Sequence, residues 1–210
     1  MPDCCTTICF DLDDTLIDRR RGLLAFHRSL LNPPVSEAEW LAMHEDGALP
    51  RFGRGRIFHD LESGLPIPSS SLQKRVIDTV VRSIAPDREL AGLLLALSTE
   101  FHLMILSNGH AGVQRRKLKA AGLDRIFSPD SIVISGACGF AKPDPRIFAH
   151  CAAVAQERPG NMVMVGDSPG NDIEGARAAG FPAIWISRGR RWPLTSPCPD
   201  AVLHSLVEAG

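Results

Sequence analysis

Two aspartates two positions apart, Asp11 and Asp13, open the turn DLDDTL directly after an apolar run. In an extended segment that spacing points both carboxylates to one side. One can serve as a nucleophile while the other handles protons, provided partial burial and the nearby acids keep Asp13 protonated near neutral pH. Asp167 and Asp172 lie in a second acidic turn, GDSPGND. Together the four offer hard oxygens suited to Mg2+. Such a cation would shield a phosphate's negative charge from an attacking carboxylate. Lys142 adds a fixed positive charge and Ser107 a hydroxyl donor. Charge stabilisation and positioning are most of what phosphoryl transfer requires.

These residues act together only if the chain brings them to one place. Thr6–Phe10, Phe101–Leu106, Ser131–Ser135, Met162–Val165 and Pro182–Ile186 are short apolar runs that read as buried strands, with a short sixth at Ala201–His204. Between them Glu89–Leu97, Gly112–Ala121, Pro145–Ala155 and Ile173–Ala179 read as helices, two of them running into glycine at 122 and 180. Strands alternating with such helices predict an α/β fold with a mostly parallel, doubly wound sheet. Ligands of such sheets bind outside the carboxyl ends of the strands. Asp11 and Asp13 follow the first strand, Ser107 the second, Lys142 lies in the loop after the third, and Asp167 and Asp172 follow the fourth.

Residues 17–86 break the rhythm. Leu23–Leu31, Ser36–His44, Arg56–Glu62 and Ser71–Ile84 read as helices, separated by proline- and glycine-bearing breaks. The predicted organisation is therefore a sheet domain of 1–16 and 87–210 with an all-helical insertion at 17–86.

The chain has 23 basic and 24 acidic residues for a net charge of −1, which gives nucleic acid or an anionic membrane no bulk electrostatic hold. A small molecule is the expected partner, and either a monomer or a homodimer is compatible. The start, MPDCCTTICF, lacks the pattern of a signal peptide, and no apolar run is long enough to span a bilayer. The cysteines at 4, 5, 9, 138, 151 and 198 form no CxxC pair, so reduced thiols in a cytoplasm are expected.

FDLDDTL (10–16), ILSNG (105–109), AKPDPRIF (141–148) and VGDSPGNDIEGARAAG (165–180) resemble, in order, the four motifs of the haloacid dehalogenase (HAD) superfamily. Four motifs in order and in strand context are far more specific than one DxD. The resemblance implies a Rossmann-like core with a helical cap inserted after the first strand, as in subfamily I. It implies that Asp11 attacks phosphorus, that Asp13 protonates the leaving alcohol and then activates water, and that Ser107 and Lys142 hold the phosphoryl oxygens. Asn108 and Gly109 would add backbone or amide contacts to the same phosphate. Asp11, the backbone carbonyl of Asp13 and Asp167 would bind Mg2+, with Asp172 near the metal's waters and Thr15 steadying the Asp13 turn.

The expected activity is Mg2+-dependent hydrolysis of a small phosphorylated metabolite through a phospho-aspartate. Asp13 disfavours a haloacid dehalogenase, in which the resemblance implies a replacement at that position. A phosphomutase of the same superfamily, or a non-catalytic metal-binding scaffold on the same fold, are the alternatives. Within the insertion, Arg51, Arg54 and Arg56 in RFGRGR could grip a carboxylate or second phosphate. RGRRWP (188–193) follows a strand's carboxyl end and could border the site.

Overall fold

The computed structural model describes residues 5–33, 35–44, 69–193 and 197–207. It divides into two compact units, Met1–Ile17 with Pro86–Gly210, and Asp18–Ala85.

In the first unit, β1 (Thr7–Phe10), β2 (His102–Ser107), β3 (Ile132–Ile134), β4 (Met162–Gly166), β5 (Ala183–Ile186) and β6 (Ala201–Leu203) form a 6-stranded sheet. Its order is β3-β2-β1-β4-β5-β6, and every pairing is parallel. This is the doubly wound α/β class expected from the alternating runs. The chain steps from β1 to β2 on one side and reaches β4 on the other, so the switch of direction lies at β1. The register sets Phe10 level with Ile105 of β2 and Val165 of β4. Asp11 thus leaves the sheet beside the ends of both neighbours.

The helices of this unit are α4 (Arg88–Leu97), α5 (Ala111–Ala120), the single turn α6 (Ser135–Cys138), α7 (Pro145–Ala155) and the short α8 (Gly175–Ala178). Asp87 caps α4 by accepting from the Glu89 and Leu90 amides, and Asp144 caps α7, whose proline at the first position needs no amide partner. Alternate residues of β1 face opposite sides. Cys9 joins a core of Met104, Met162, Met164, Ile147, Phe148, Cys151, Phe181 and Trp185. Sulfur atoms meet there: Cys151 Sγ lies 3.7 Å from Cys9 Sγ and 3.9 Å from Met104 Sδ. Phe10 instead sets its ring edge-on to Phe127.

The second unit contains α1 (Arg19–Arg28), α2 (Glu37–Ala42) and α3 (Ser69–Ser83) around Leu23, Phe26, Trp40, Leu72, Val76 and Val80. The Trp40 indole N–H donates to the Leu23 carbonyl, so its polar edge is satisfied inside an apolar cluster. Ser36 and Glu39 form a reciprocal capping box at the start of α2. The helix expected at Arg56–Glu62 lies outside the described residues. No helix among the described residues is long and apolar enough to cross a membrane.

Candidate active site

Asp11 is the first residue past β1, and its amide donates to Val165 O at 2.9 Å, one rung beyond the strand. Its carboxylate is buried and meets Lys142, whose Nζ lies 2.7 Å from Asp11 Oδ1 and 2.6 Å from Asp172 Oδ1. Asp172 arrives on a π-helical turn, Pro169–Glu174, and its second oxygen accepts from the Ser168 amide at 2.9 Å. It fits only because residue 166 has no side chain: a Cβ there would sit 2.3 Å from Asp172 Oδ2. One carboxylate oxygen from each of Asp11, Asp167 and Asp172 lies within 4.8 Å of the others.

Burial pushes the Asp11 carboxyl well above the usual carboxylate range; Lys142 opposes this, and Asp172, Asp167 and Asp13 add to the rise. Burial works against the Lys142 ammonium, yet Asp11 and Asp172 outweigh it and hold the lysine above its ordinary range. Clustered hard oxygens with surplus negative charge are the donor set a divalent cation fits. The Asp172 carboxylate, expected near the metal's waters, lies in the same cluster as Asp11 and Asp167.

The Asp13 side chain does not join this group. Lys117 Nζ contacts both its oxygens, at 2.7 Å and 2.6 Å, and Gln114 Nε2 donates to Oδ2 at 3.0 Å. An ammonium against both oxygens, with an amide on one of them, fixes the place and the plane of this carboxyl group. Nor does a hydroxyl steady the turn: Thr15 Oγ1 is buried with no hydrogen-bond partner among the described residues. The backbone closes it instead, with Leu16 N and Ile17 N donating to Leu12 O and Asp14 N to Ile17 O.

Ser107 ends β2, buried, and its Oγ accepts from Gln114 Nε2 at 2.8 Å. Asn108 uses its whole amide on the main chain of Lys142, donating to its carbonyl at 2.9 Å and accepting from its N–H at 2.8 Å. Gly109 gives its N–H to Ser135 Oγ at 2.9 Å. Both were expected to face a phosphate through backbone or amide groups; the Asn108 amide side chain and the Gly109 N–H instead brace the loop that carries Lys142 and the start of α6. The fit is tight, since a Cβ on residue 136 of α6 would meet Gly109 O at 2.6 Å.

Arg188 and Arg190, past β5, reach both acidic turns. Arg188 Nε donates to the carbonyl of Asp14, and Arg190 Nη2 bonds Asp167 at its carbonyl (2.7 Å) and at Oδ2 (2.9 Å). RGRRWP therefore borders the site through its arginines. Arg51, Arg54 and Arg56 lie outside the described residues. Gln114 and Lys117 were missed by the sequence reading; the available signal was a polar pair three apart on a helix entered directly from the SNG turn.

The model of the hydrolase family "haloacid dehalogenase-like hydrolase" matches residues 5–180. The chain belongs to that family. Among curated HAD relatives, the N-acylneuraminate-9-phosphatase of Mus musculus is 39% identical over 228 residues, covering 95% of this chain and 90% of the relative. Other curated relatives are phosphatases too, and the chain is a HAD-type enzyme of that hydrolase kind. Among solved structures, the HAD-hydrolase YfnB from Bacillus subtilis superposes with a TM-score of 0.79 at 22% identity, over 98% of this chain and 96% of that one. L-2-haloacid dehalogenase from Xanthobacter autotrophicus shares the fold at a TM-score of 0.77 and 20% identity, over 98% and 96%.

Proposed function

We propose that the chain is a Mg2+-dependent phosphomonoesterase that forms a phosphoryl-aspartate on Asp11 and acts on a small phosphorylated metabolite. The observation that carries this reading is the meeting of Asp11, Asp167 and Asp172 within 4.8 Å, with Lys142 bound to two of them, at the carboxyl end of the strands where the sheet changes direction. The hard-oxygen donors suit Mg2+, and the YfnB structure is described as bound to magnesium. When bound, the cation lowers the charge barrier between a carboxylate and a phosphate. Asp11 and Asp167 would hold it through their side chains, joined by the Asp13 carbonyl, with Asp172 adding a carboxylate or ordering its waters.

The remaining steps fall to side chains. Asp11 Oδ attacks phosphorus; the bond from phosphorus to the ester oxygen breaks, and a proton held by Asp13 goes to the departing alkoxide. Asp13, now a carboxylate, takes a proton from water as that water attacks the phosphoryl-aspartate, which returns Asp11 and releases phosphate. The Ser107 hydroxyl and the Lys142 ammonium hold phosphoryl oxygens. Asn108 and Gly109 support the phosphate site by bracing the loops that carry it. Thr15 belongs to the same turn through its backbone.

Residues 17–86 we assign to a helical cap that selects the substrate, with Arg51, Arg54 and Arg56 as its anion-binding residues. The mouse relative's name makes an N-acylneuraminate 9-phosphate the first compound to test. Cys9, Cys138, Cys151 and Cys198 are thiols, in keeping with a reducing cytoplasm. The test is phosphate release from a panel of phosphorylated metabolites, with Mg2+ and with a chelator. Release that needs Mg2+ supports the reading; no release from any ester by folded, Mg2+-supplied protein refutes it.

A further inference from the structure

We infer that Gln114 and Lys117 on α5 are positioning residues for the reaction, Lys117 fixing the carboxylate of Asp13 and Gln114 aiming the hydroxyl of Ser107. The inference rests on the phosphatase reading and deepens it.

Residues three apart on a helix share a face. Here that face turns inward: Gln114 is 1% exposed and Lys117 7%. Removing an ammonium from water is costly, and apolar residues commonly fill such a place with no loss of stability. A buried lysine on an otherwise amphipathic helix therefore points to a task beyond packing. Its partner is the carboxylate proposed as acid and base, touched at both oxygens at 2.7 Å and 2.6 Å. Two contacts fix the plane of that carboxylate as well as its place.

Gln114 links the first and second motifs. Its Nε2 reaches Asp13 Oδ2 (3.0 Å), Ser107 Oγ (2.8 Å) and Asn108 O (3.0 Å). A carboxylate and a carbonyl only accept, so the nitrogen of the amide must face this group. An amide has two hydrogens, so three acceptors share them. The hydrogen given to Ser107 occupies a lone pair of its oxygen. The serine's own hydrogen is left to point toward another acceptor, such as a phosphoryl oxygen.

The two residues predict different signatures. Lys117 acts through Asp13, so its loss matters most where the leaving group needs a proton. Gln114 acts through Ser107, so its loss weakens phosphoryl binding for every ester alike. The experiment compares kcat/KM for p-nitrophenyl phosphate, whose leaving group departs readily, with that for phenyl phosphate, whose leaving group is more basic. Lys117→Met is expected to lose roughly 10²-fold on phenyl phosphate and about tenfold less on p-nitrophenyl phosphate. Lys117→Arg should recover most of the difference. In an Asp13→Asn background, Lys117→Met should change neither value more than about twofold, because coupled residues are not additive. That double variant removes both charges and keeps the comparison available if the single variant does not fold. Gln114→Met should weaken inhibition by orthovanadate about tenfold with no change in the ratio of the two substrates. Equal losses on both esters for Lys117→Met, or a further loss on the Asp13→Asn background, would overturn the inference while leaving an active phosphatase. A wild-type enzyme that cleaves neither ester with Mg2+ present would remove the phosphatase reading, and this inference with it.

Discussion

Replacing Lys142 by methionine keeps the length of the side chain and deletes its charge. The lysine is the ammonium between Asp11 and Asp172, whose side chains are 8% and 1% exposed. Each charge-assisted hydrogen bond contributes about 1.5–3 kcal/mol, so two give roughly 3–6 kcal/mol. Breaking a buried ion pair from one side costs about 3–5 kcal/mol, which agrees. Two things limit the loss: Asp172 keeps the Ser168 amide, and an orphaned carboxylate can bind a proton at about 1.4 kcal/mol per pKa unit. A net loss of about 3–5 kcal/mol is expected, or roughly 6–20 °C in Tm for a chain of this size. The assay is urea denaturation in a chelator, comparing wild type, Lys142→Met, and Lys142→Met with Asp172→Asn. The second substitution should restore more than half of the loss. The sign with pH is also set. In the variant the folded carboxylates bind protons more tightly than the unfolded ones, so stability falls as pH rises, and the deficit is smaller near about pH 5 than near about pH 8. A variant within about 0.5 kcal/mol of wild type at both pH values would refute the claim that one buried cation holds these two acids together.

Asp11→Asn should abolish turnover and leave the fold in place, since an amide is a poor nucleophile; full activity with phosphate release would remove Asp11 from that role. Gly166→Ala should destabilise by about 1–3 kcal/mol and cut activity, because its Cβ would fall 2.3 Å from Asp172 Oδ2; thermal denaturation alongside kcat checks both effects. Arg190→Ala frees Asp167 from a contact of 2.9 Å, and calorimetric titration should show Mg2+ affinity lowered by about tenfold as the carboxylate loses its fixed orientation. Arg54→Ala should raise KM for an anionic metabolite more than for p-nitrophenyl phosphate; equal changes would remove the cap assignment.

The sheet was legible because strands buried on both faces read as unbroken apolar runs, and TICF, HLMILS and MVMVG are such runs. The residues that meet at its edge were legible because each acidic or basic group stands just beyond one of those runs. Local detail was less so. Ile173–Ala179 was expected as a helix, yet the structure has a π-helical turn from Pro169 to Glu174 and only Gly175–Ala178 as α-helix. The wider turn swings Asp172 toward Lys142, a tertiary demand that periodicity does not record. The run Ser131–Ser135 yields only Ile132–Ile134 as strand, because Ser135 begins α6 and gives its hydroxyl to Gly109. Lys117 was not singled out because a sequence shows which face of a helix is polar, not which polar residue will be covered. Arg188 and Arg190 bond mainly to backbone carbonyls, and the direction of a carbonyl exists only once the loop has its shape.

The thiols and thioethers that meet behind the first strand set a condition on handling. Cys9, two residues before the proposed nucleophile Asp11, presses against Cys151, which in turn meets Met104. Sulfur is polarisable and forgiving of shape, so this backing yields where branched aliphatics would not. It is also sensitive to chemical change: a sulfoxide on Met104 would plant a dipole in a dry layer. Full burial shields it, so protein stored in air should oxidise first at the exposed Cys198, and activity should fall only later, once oxidant reaches this layer.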